Sequence, residues 1–250
     1  MAERAASQNT PHHRLAVHQQ LGPLRLDVDI TFSAPWALIF GPSGSGKSSL
    51  LRAACGLLDR NGVEFARHDT GGQWLSMSTS ATRRRSLSYA PQNSTLFPHL
   101  TISENVAFPS QSPRNESNHK PLVEEVLELF EVKSYADRLP RELSGGERQR
   151  VNLARAFAVP DAKLMLLDEP FSGVDRAMRD ALLPRMQEWL LLHRIPVISV
   201  SHDVDEALLL GAEVVVLASG SVVSQGPAME VLSEERVRML KALGYTEERP

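Results

Sequence analysis

The chain has 250 residues, 42% of them hydrophobic and 23% charged, with a formal net charge of −3 at pH 7. This suffices to bury one large core with room for an inserted lobe, and the charge balance gives no support for strong non-specific binding to nucleic acid. The single cysteine, Cys55, excludes an internal disulfide and fits a reducing compartment.

Residues 1–12 are polar and Ala/Ser-rich, without the apolar run of a signal peptide, and read as a flexible tail. No stretch reaches the roughly 18 apolar residues of a membrane span. The nearest, 207–223, is broken by Gly211, Glu213 and Gly220. Work at a membrane would therefore go through a partner.

Residues 24–30 alternate apolar and polar, as a half-buried strand does. Residues 36–40 form a short apolar run that stops at glycine, which predicts a buried parallel strand. A helix is expected over 48–58, and loop with an edge strand over 71–86, which carries Arg83, Arg84 and Arg85. These three arginines read as a solvated face, with lipid headgroups or nucleotide as the other reading. Residues 110–119 are polar, contain Pro113 and read as loop. Helices are predicted over 122–130, 151–159, 178–193 (with Pro184 as a kink) and 203–210. Further buried strands are predicted over 164–167, 197–200 and 214–218. Buried strands alternating with helices predict an α/β fold with a mostly parallel sheet. Residues 93–160, which carry helices without clear strands, predict an inserted helical lobe. Cys55 reads as a core residue.

Gly41, Pro42, Ser43, Gly44, Ser45, Gly46, Lys47 and Ser48 fit G-x-x-x-x-G-K-[ST], between a predicted strand and a predicted helix. Glycines there let backbone N–H groups wrap a phosphate chain, and the helix N-terminus adds favourable partial charge. Lys47 is expected to reach the β- and γ-phosphates and Ser48 to hold Mg²⁺, with Ser49 completing the binding segment. Downstream, an apolar strand ends in two acids, Asp168 and Glu169. At the carboxyl edge of a parallel sheet they would lie beside the phosphate loop. Asp168 is then placed to support Mg²⁺ through a water, and Glu169 to polarise an attacking water.

Leu143-Ser144-Gly145-Gly146-Glu147-Arg148-Gln149-Arg150 opens a second helix with a second anion-binding start. One nucleotide needs one phosphate loop, so the second device makes sense if it closes over nucleotide held by another subunit. With this motif the sequence resembles the ABC ATPases, from about Leu15 to Leu240. Gln92 in Tyr89-Ala90-Pro91-Gln92 resembles the Q-loop glutamine. Asp168-Glu169-Pro170 resembles the Walker B end, and Ser172-Gly173-Val174-Asp175 is similar to the D-loop. His202 in Val200-Ser201-His202-Asp203 resembles the switch histidine.

The resemblance implies a P-loop NTPase (RecA-like) cassette with an N-terminal antiparallel β subdomain and an inserted α-helical lobe. Its expected division is a tail over 1–12, a nucleotide-binding core with the β subdomain over 13–92 and 161–225, a helical signature lobe over 93–160, and a C-terminal helical extension over 226–250. It implies ATP and Mg²⁺ as ligands and a head-to-tail dimer of two copies sandwiching two ATPs. Each site then joins the phosphate loop of one chain to Ser144, Gly145 and Gly146 of the other, with Asp175 at the same border. Gln92 would sense Mg²⁺ and the attacking water, and His202 would contact the γ-phosphate, both beside the catalytic Glu169. The family often stacks adenine on an upstream aromatic residue. The matching stretch, 17–22, has no Phe, Tyr or Trp, and leaves His18 either stacking on the base or lying at the surface.

A single cassette without long coiled coils resembles importer ATPases, and among them the molybdate/tungstate type. The carrying residues are Leu21-Gly22, Leu24-Arg25-Leu26-Asp27-Val28, Leu96-Phe97-Pro98-His99-Leu100, Asp137-Arg138-Leu139-Pro140 and Leu182-Leu183-Pro184. The implied partners are membrane permease subunits and, through them, a solute-binding protein, at the cytoplasmic face of the inner membrane. Nucleic acid is not an expected partner. The oxyanion-binding C-terminal domain of many molybdate-type ATPases is expected to be missing. Residues 97–108 would receive the permease while packing Leu96, Phe97, Leu100 and Val106 in the lobe. The alternative readings are a non-transport ABC ATPase that works as an ATP-driven dimerisation switch, an importer ATPase for a different solute, and a P-loop kinase, which the Ser-Gly-Gly motif argues against.

Overall fold

β1 (His13–Leu21) and β2 (Leu24–Phe32) form an antiparallel hairpin, paired from His13↔Phe32 to Leu21↔Leu24 around Gly22-Pro23. The computed structural model describes residues 13–33, 35–58, 61–68, 74–76, 87–110 and 120–233. The expected tail over 1–12, the arginines 83–85 and most of the loop over 110–119 lie outside these residues.

The other strands are β3 (Trp36–Phe40), β4 (Val63–His68), β5 (Trp74–Ser76), β6 (Leu87–Ala90), β7 (Leu164–Asp168), β8 (Val197–Val200), β9 (Glu213–Ala218) and β10 (Ser221–Pro227). Together they make one sheet in the order β5-β4-β1-β2-β10-β9-β3-β8-β7-β6. From β9 to β6 the pairing is parallel. The β1, β2, β4 and β5 end is antiparallel. β10 pairs antiparallel with β9 and meets β2 at Ser221↔Asp27.

The central parallel strands β3, β7 and β8 are mostly apolar and almost wholly buried because both faces are covered. Trp36 and Leu38 of β3 and Met165 and Leu167 of β7 enter one core cluster. Ala37 and Ile39, with Leu164 and Leu166, enter the other. Each such Leu, Ile or Met side chain contributes about 1.5–3 kcal/mol on burial. The Trp36 indole N–H, buried with the ring, donates to Ser199 Oγ at 2.8 Å.

The helices are α1 (Lys47–Ala54), α2 (Ile102–Ala107), α3 (Lys120–Leu129), α4 (Gly145–Phe157), α5 (Arg176–His193), α6 (Val204–Leu210) and α7 (Ala228–Val231). α1 ends before Leu58, where the sequence pattern carried it. Gly56 at φ 72° turns the chain while its N–H bonds Ala53 O and the Leu57 N–H bonds Arg52 O. This crossed pair closes helices that end at glycine. α4 starts six residues ahead of the predicted 151, and α5 begins at Arg176 rather than Met178, each at its cap. Pro184 lies within α5. The edge strand expected over 71–86 is β5, at one end of the sheet. β6, the opposite edge, was not anticipated, and neither was the mostly exposed β10. Of the expected C-terminal helical extension, α7 is described and 234–250 lie outside the described residues.

Between β6 and β7 the described chain carries α2, α3, α4 and short 3-10 turns. Asn105, fully buried, stitches the loop before α2. It accepts from Phe97 N at 2.8 Å and donates to the carbonyls of Phe97, Leu100 and Thr101. Val106 is buried, whereas Phe108 is 49% exposed with its ring 4.4 Å from that of Phe97. No helix among the described residues is long and apolar enough to cross a membrane.

Candidate functional site

Three loops meet where β3, β8 and β7, adjacent and parallel, run out at one sheet edge. Register fixes the meeting: Ile39 and Asp168 both lie opposite Val200. Glu169 N donates to Val200 O at 3.0 Å, and Ser201 N to Ile39 O at 3.2 Å. The carboxyl ends of parallel strands are where such sheets bind ligands.

The loop after β3 is residues 41–46. Gly41, at φ 150°, passes so near β9 that a Cβ there would lie 2.2 Å from Leu217 O. Lys47, the first residue of α1, is buried to 8% exposure and donates from Nζ to Gly41 O at 2.8 Å and Pro42 O at 2.9 Å. It curls back over the carbonyls of its own loop, where Ser45 N also donates to Pro42 O at 3.2 Å. Burial lowers the Lys47 pKa, while the charges of Glu169 and Asp168 oppose that shift. Ser45 Oγ is buried without a hydrogen-bond partner inside this loop, a polar group in need of a ligand. Pro42, Ser43 and Gly44 are exposed beside it, and Ser48 and Ser49 are half-buried on α1.

Asp168, 1% exposed at the end of β7, accepts from Ser48 Oγ at 2.8 Å and more weakly from Tyr89 OH at 3.4 Å. Burial raises its pKa, opposed by the hydrogen bond from Ser48. Tyr89 was quoted in the sequence only as a neighbour of Gln92, and its place at the carboxylate was missed. Its signal was the alternation of 87–90, which puts Ser88 on α4 (Ser88 Oγ to Ala156 O, 2.6 Å) and Tyr89 on the site. Burial first, then the nearby Asp168 charge, push the Tyr89 phenol up to about 12. Among the described residues no group of three His, Cys, Asp or Glu side chains could hold a metal. One carboxylate beside one hydroxyl is instead the hard-oxygen set of Mg²⁺, which takes its other ligands from phosphate and water.

Glu169 adopts φ 46°, a strained left-handed conformation for a residue with a side chain. It accepts from Gln92 Nε2 at 2.9 Å and lies 3.5 Å from His202 Nδ1. Its side chain is 23% exposed, whereas that of His202 is 74% exposed. Lys47, Ser48, Gln92, Asp168, Glu169 and His202 therefore form one constellation.

Ser144, Gly145, Gly146 and Asp175 form a second cluster. Ser144 caps α4: its Oγ accepts from Glu147 N at 3.3 Å, and Glu147 Oε2 accepts from Ser144 N at 2.7 Å. Hydrogen bonds from Ser144 hold the Glu147 carboxyl down at about 2. A Cβ on Gly145 would meet nothing within 4 Å, while one on Gly146 would lie 2.9 Å from Gly173 O. Gln149 Nε2 donates to Pro170 O at 3.1 Å, so the start of α4 is seated on the turn 170–175. Asp175 caps α5, accepting from Met178 N at 2.9 Å. Ser144, Gly145, Ser172, Gly173 and Asp175 are all exposed. In the β1–β2 hairpin, His18 pairs with Asp27 across the strands, its Nδ1 2.8 Å from Asp27 Oδ1, and stays half-exposed.

The probable sulfate/thiosulfate import ATP-binding protein CysA of Chlorella vulgaris is 41% identical over 199 residues, 77% of this chain and 80% of that protein. The molybdenum import ATP-binding protein ModC of Rhodopseudomonas palustris is 37% identical over 233 residues, and this chain spans 61% of its length. The molybdate/tungstate import ATP-binding protein WtpC of Archaeoglobus fulgidus is 33% identical over 222 residues, 88% of this chain and 89% of that protein. In fold the chain is similar to the ATP-binding cassette MJ0796, solved as a dimer in a post-hydrolysis state bound to ADP and Pi. The TM-score is 0.71 at 24% identity, covering 86% of this chain and 98% of the other. A family model described as ABC transporter matches residues 27–172, and the chain belongs to that family.

Proposed function

We propose that this chain is the ATP-hydrolysing subunit of an importer for a tetrahedral oxyanion, working as a head-to-tail dimer beneath a membrane permease. The observation that carries the reading is the pair of separate anion-binding starts. One is the loop 41–46, joined to Asp168 and Glu169. The other is the exposed, capped start of α4 with its open Gly145. An exposed phosphate-binding helix start away from the first site suits nucleotide held by a second copy.

In the proposed reaction the N–H groups of 41–46 hold the β- and γ-phosphates, and Lys47 turns from its own carbonyls to the γ-phosphate. Ser48 and Asp168 would hold Mg²⁺, which neutralises charge on the phosphate oxygens. Glu169 accepts a proton as a water oxygen attacks the γ-phosphorus and the bond to the ADP oxygen breaks. Gln92 orients Glu169 and senses the water and metal, and His202 donates to a γ-phosphate oxygen. Ser144, Gly145 and Gly146 of the second copy close the site, with Asp175 at the border. His18, held by Asp27, remains the candidate contact for the base. The helices of 93–160 act as a lobe that receives the permease over residues 97–108, where Phe108 is exposed. The names of the relatives support molybdate, tungstate or sulfate as cargo.

The test is Glu169→Gln in the full chain. ATP is expected to drive a lasting dimer while hydrolysis is lost. Hydrolysis at the normal rate removes Glu169 from its role. Reconstitution with a candidate permease and binding protein, loaded with molybdate or with sulfate, decides the cargo by which loaded protein stimulates ATPase activity.

A further inference from the structure

The helix that leaves the turn 172–175 and the helix that follows His202 are fastened together at their first turns. Arg179 of α5, whose side chain is 8% exposed, donates from Nη1 to Asp203 Oδ2. Its Nε reaches Asp180 Oδ1 at 3.0 Å. One turn earlier, Arg176 Nη2 donates to Asp205 Oδ2 at 2.6 Å. Asp203 also caps α6, accepting from Asp205 N at 2.8 Å, and its own N–H donates to Ser201 Oγ at 3.0 Å. The backbone is thus held on both sides of His202 while the ring itself stays exposed. A cleft of about 300 Å³ between the two loops is lined by Glu169, Gly173, Arg176, Arg179, His202 and Glu206.

α6 has only seven residues, too few for a helix to persist on its own propensity. Its first turn, and the loop before it, depend on the cap at Asp203. Asp203 in turn depends on Arg179, because a nearly dry guanidinium keeps its partner strongly. We propose that Arg179 is a positioning residue for His202: through Asp203 it fixes the loop carrying the imidazole to the turn 172–175, so that a second copy arriving at that turn sets the histidine. The inference rests on the ATPase reading above.

The experiment is steady-state ATPase kinetics of the full chain carrying Arg179→Met, Asp203→Asn, both together, His202→Ala, and Arg179→Met with His202→Ala. Each single change is expected to lower kcat about tenfold or more, the scale of misplacing one group by about 1 Å, with KM for ATP within about twofold. The Arg179/Asp203 double is expected to fall no further than the singles, and Arg179→Met to add nothing once His202 is alanine. Additive losses with His202→Ala overturn the inference, as does a raised KM at unchanged kcat, or a folded Arg179→Met with normal kcat. Should Arg179→Met melt below the assay temperature, Arg179→Lys carries the test. It keeps the charge but not the fork, and is expected to lose about threefold in kcat; full activity overturns the inference. A wild type that hydrolyses no ATP overturns the ATPase reading instead, and the inference with it, whereas Glu169→Gln with normal turnover removes Glu169 from its role and leaves the inference to the Arg179 variants.

Discussion

Gln92 Nε2 lies 2.9 Å from Glu169 Oε2, joining the loop after β6 to the carboxylate that ends β7. The contact aims a carboxylate whose backbone is already strained at φ 46°. Gln92→Ala is expected to lower kcat for ATP about ten- to a hundredfold while nucleotide binding persists. Parallel turnover and equilibrium nucleotide-binding measurements check this, and equal losses in both would remove Gln92 from the catalytic step.

Ser48 and Tyr89 share Asp168 unequally, at 2.8 Å and 3.4 Å. A 3.4 Å contact lies beyond the usual hydroxyl–oxygen range. Tyr89→Phe is expected to cost less than about 1 kcal/mol in a melt and leave the Mg²⁺ requirement unchanged. Ser48→Ala is expected to raise the Mg²⁺ needed for half-maximal nucleotide binding about tenfold or more. A Mg²⁺ titration of nucleotide binding separates the two.

Gly145 and Gly146 are adjacent but sit in different surroundings. Nothing lies within 4 Å of a Cβ on Gly145, whereas one on Gly146 meets Gly173 O at 2.9 Å. Gly145→Ala is expected to stabilise the isolated chain by up to about 1 kcal/mol through helix propensity, yet, on the proposed shared site, to lower ATPase activity by filling space where a partner's nucleotide would approach. Gly146→Ala is expected to destabilise by about 1–3 kcal/mol through overpacking. Thermal melts paired with activity reveal the split. A Gly145→Ala chain with full activity counts against the shared site.

Burial raises the carboxyl of Glu206 to about 7, against an ordinary 4.5. It is 7% exposed, and Ser201, Asp203, Arg179 and His202 face it. The folded state therefore keeps a proton that the unfolded chain gives up near 4.5. Stability from this group is fully present below pH 4.5 and is lost as pH rises through 7. The loss is on the order of 3 kcal/mol. Denaturant melts between pH 5 and 8 are expected to show this decline, and Glu206→Gln to flatten it. A decline of the same slope in Glu206→Gln assigns it to another group.

The sequence by itself determined the local chemistry. The phosphate loop, the acid pair after an apolar strand and the Ser-Gly-Gly helix start are contiguous motifs, and short spacing dictates their backbone. Parallel strands were legible because burial on both faces leaves an unbroken apolar run, as in 36–40 and 164–167. Only the tertiary structure decided which pieces meet. Gln92 and Glu169 are 77 residues apart, and Ser48 and Asp168 are 120 apart. What joins them is the sheet order, β3 beside β8 beside β7 beside β6. No local periodicity records that order, since non-local pairing is settled by packing of whole elements. For the same reason Tyr89 was passed over on an edge strand, and the Arg179–Asp203 clamp was invisible: each is an ordinary polar residue until another element is packed against it.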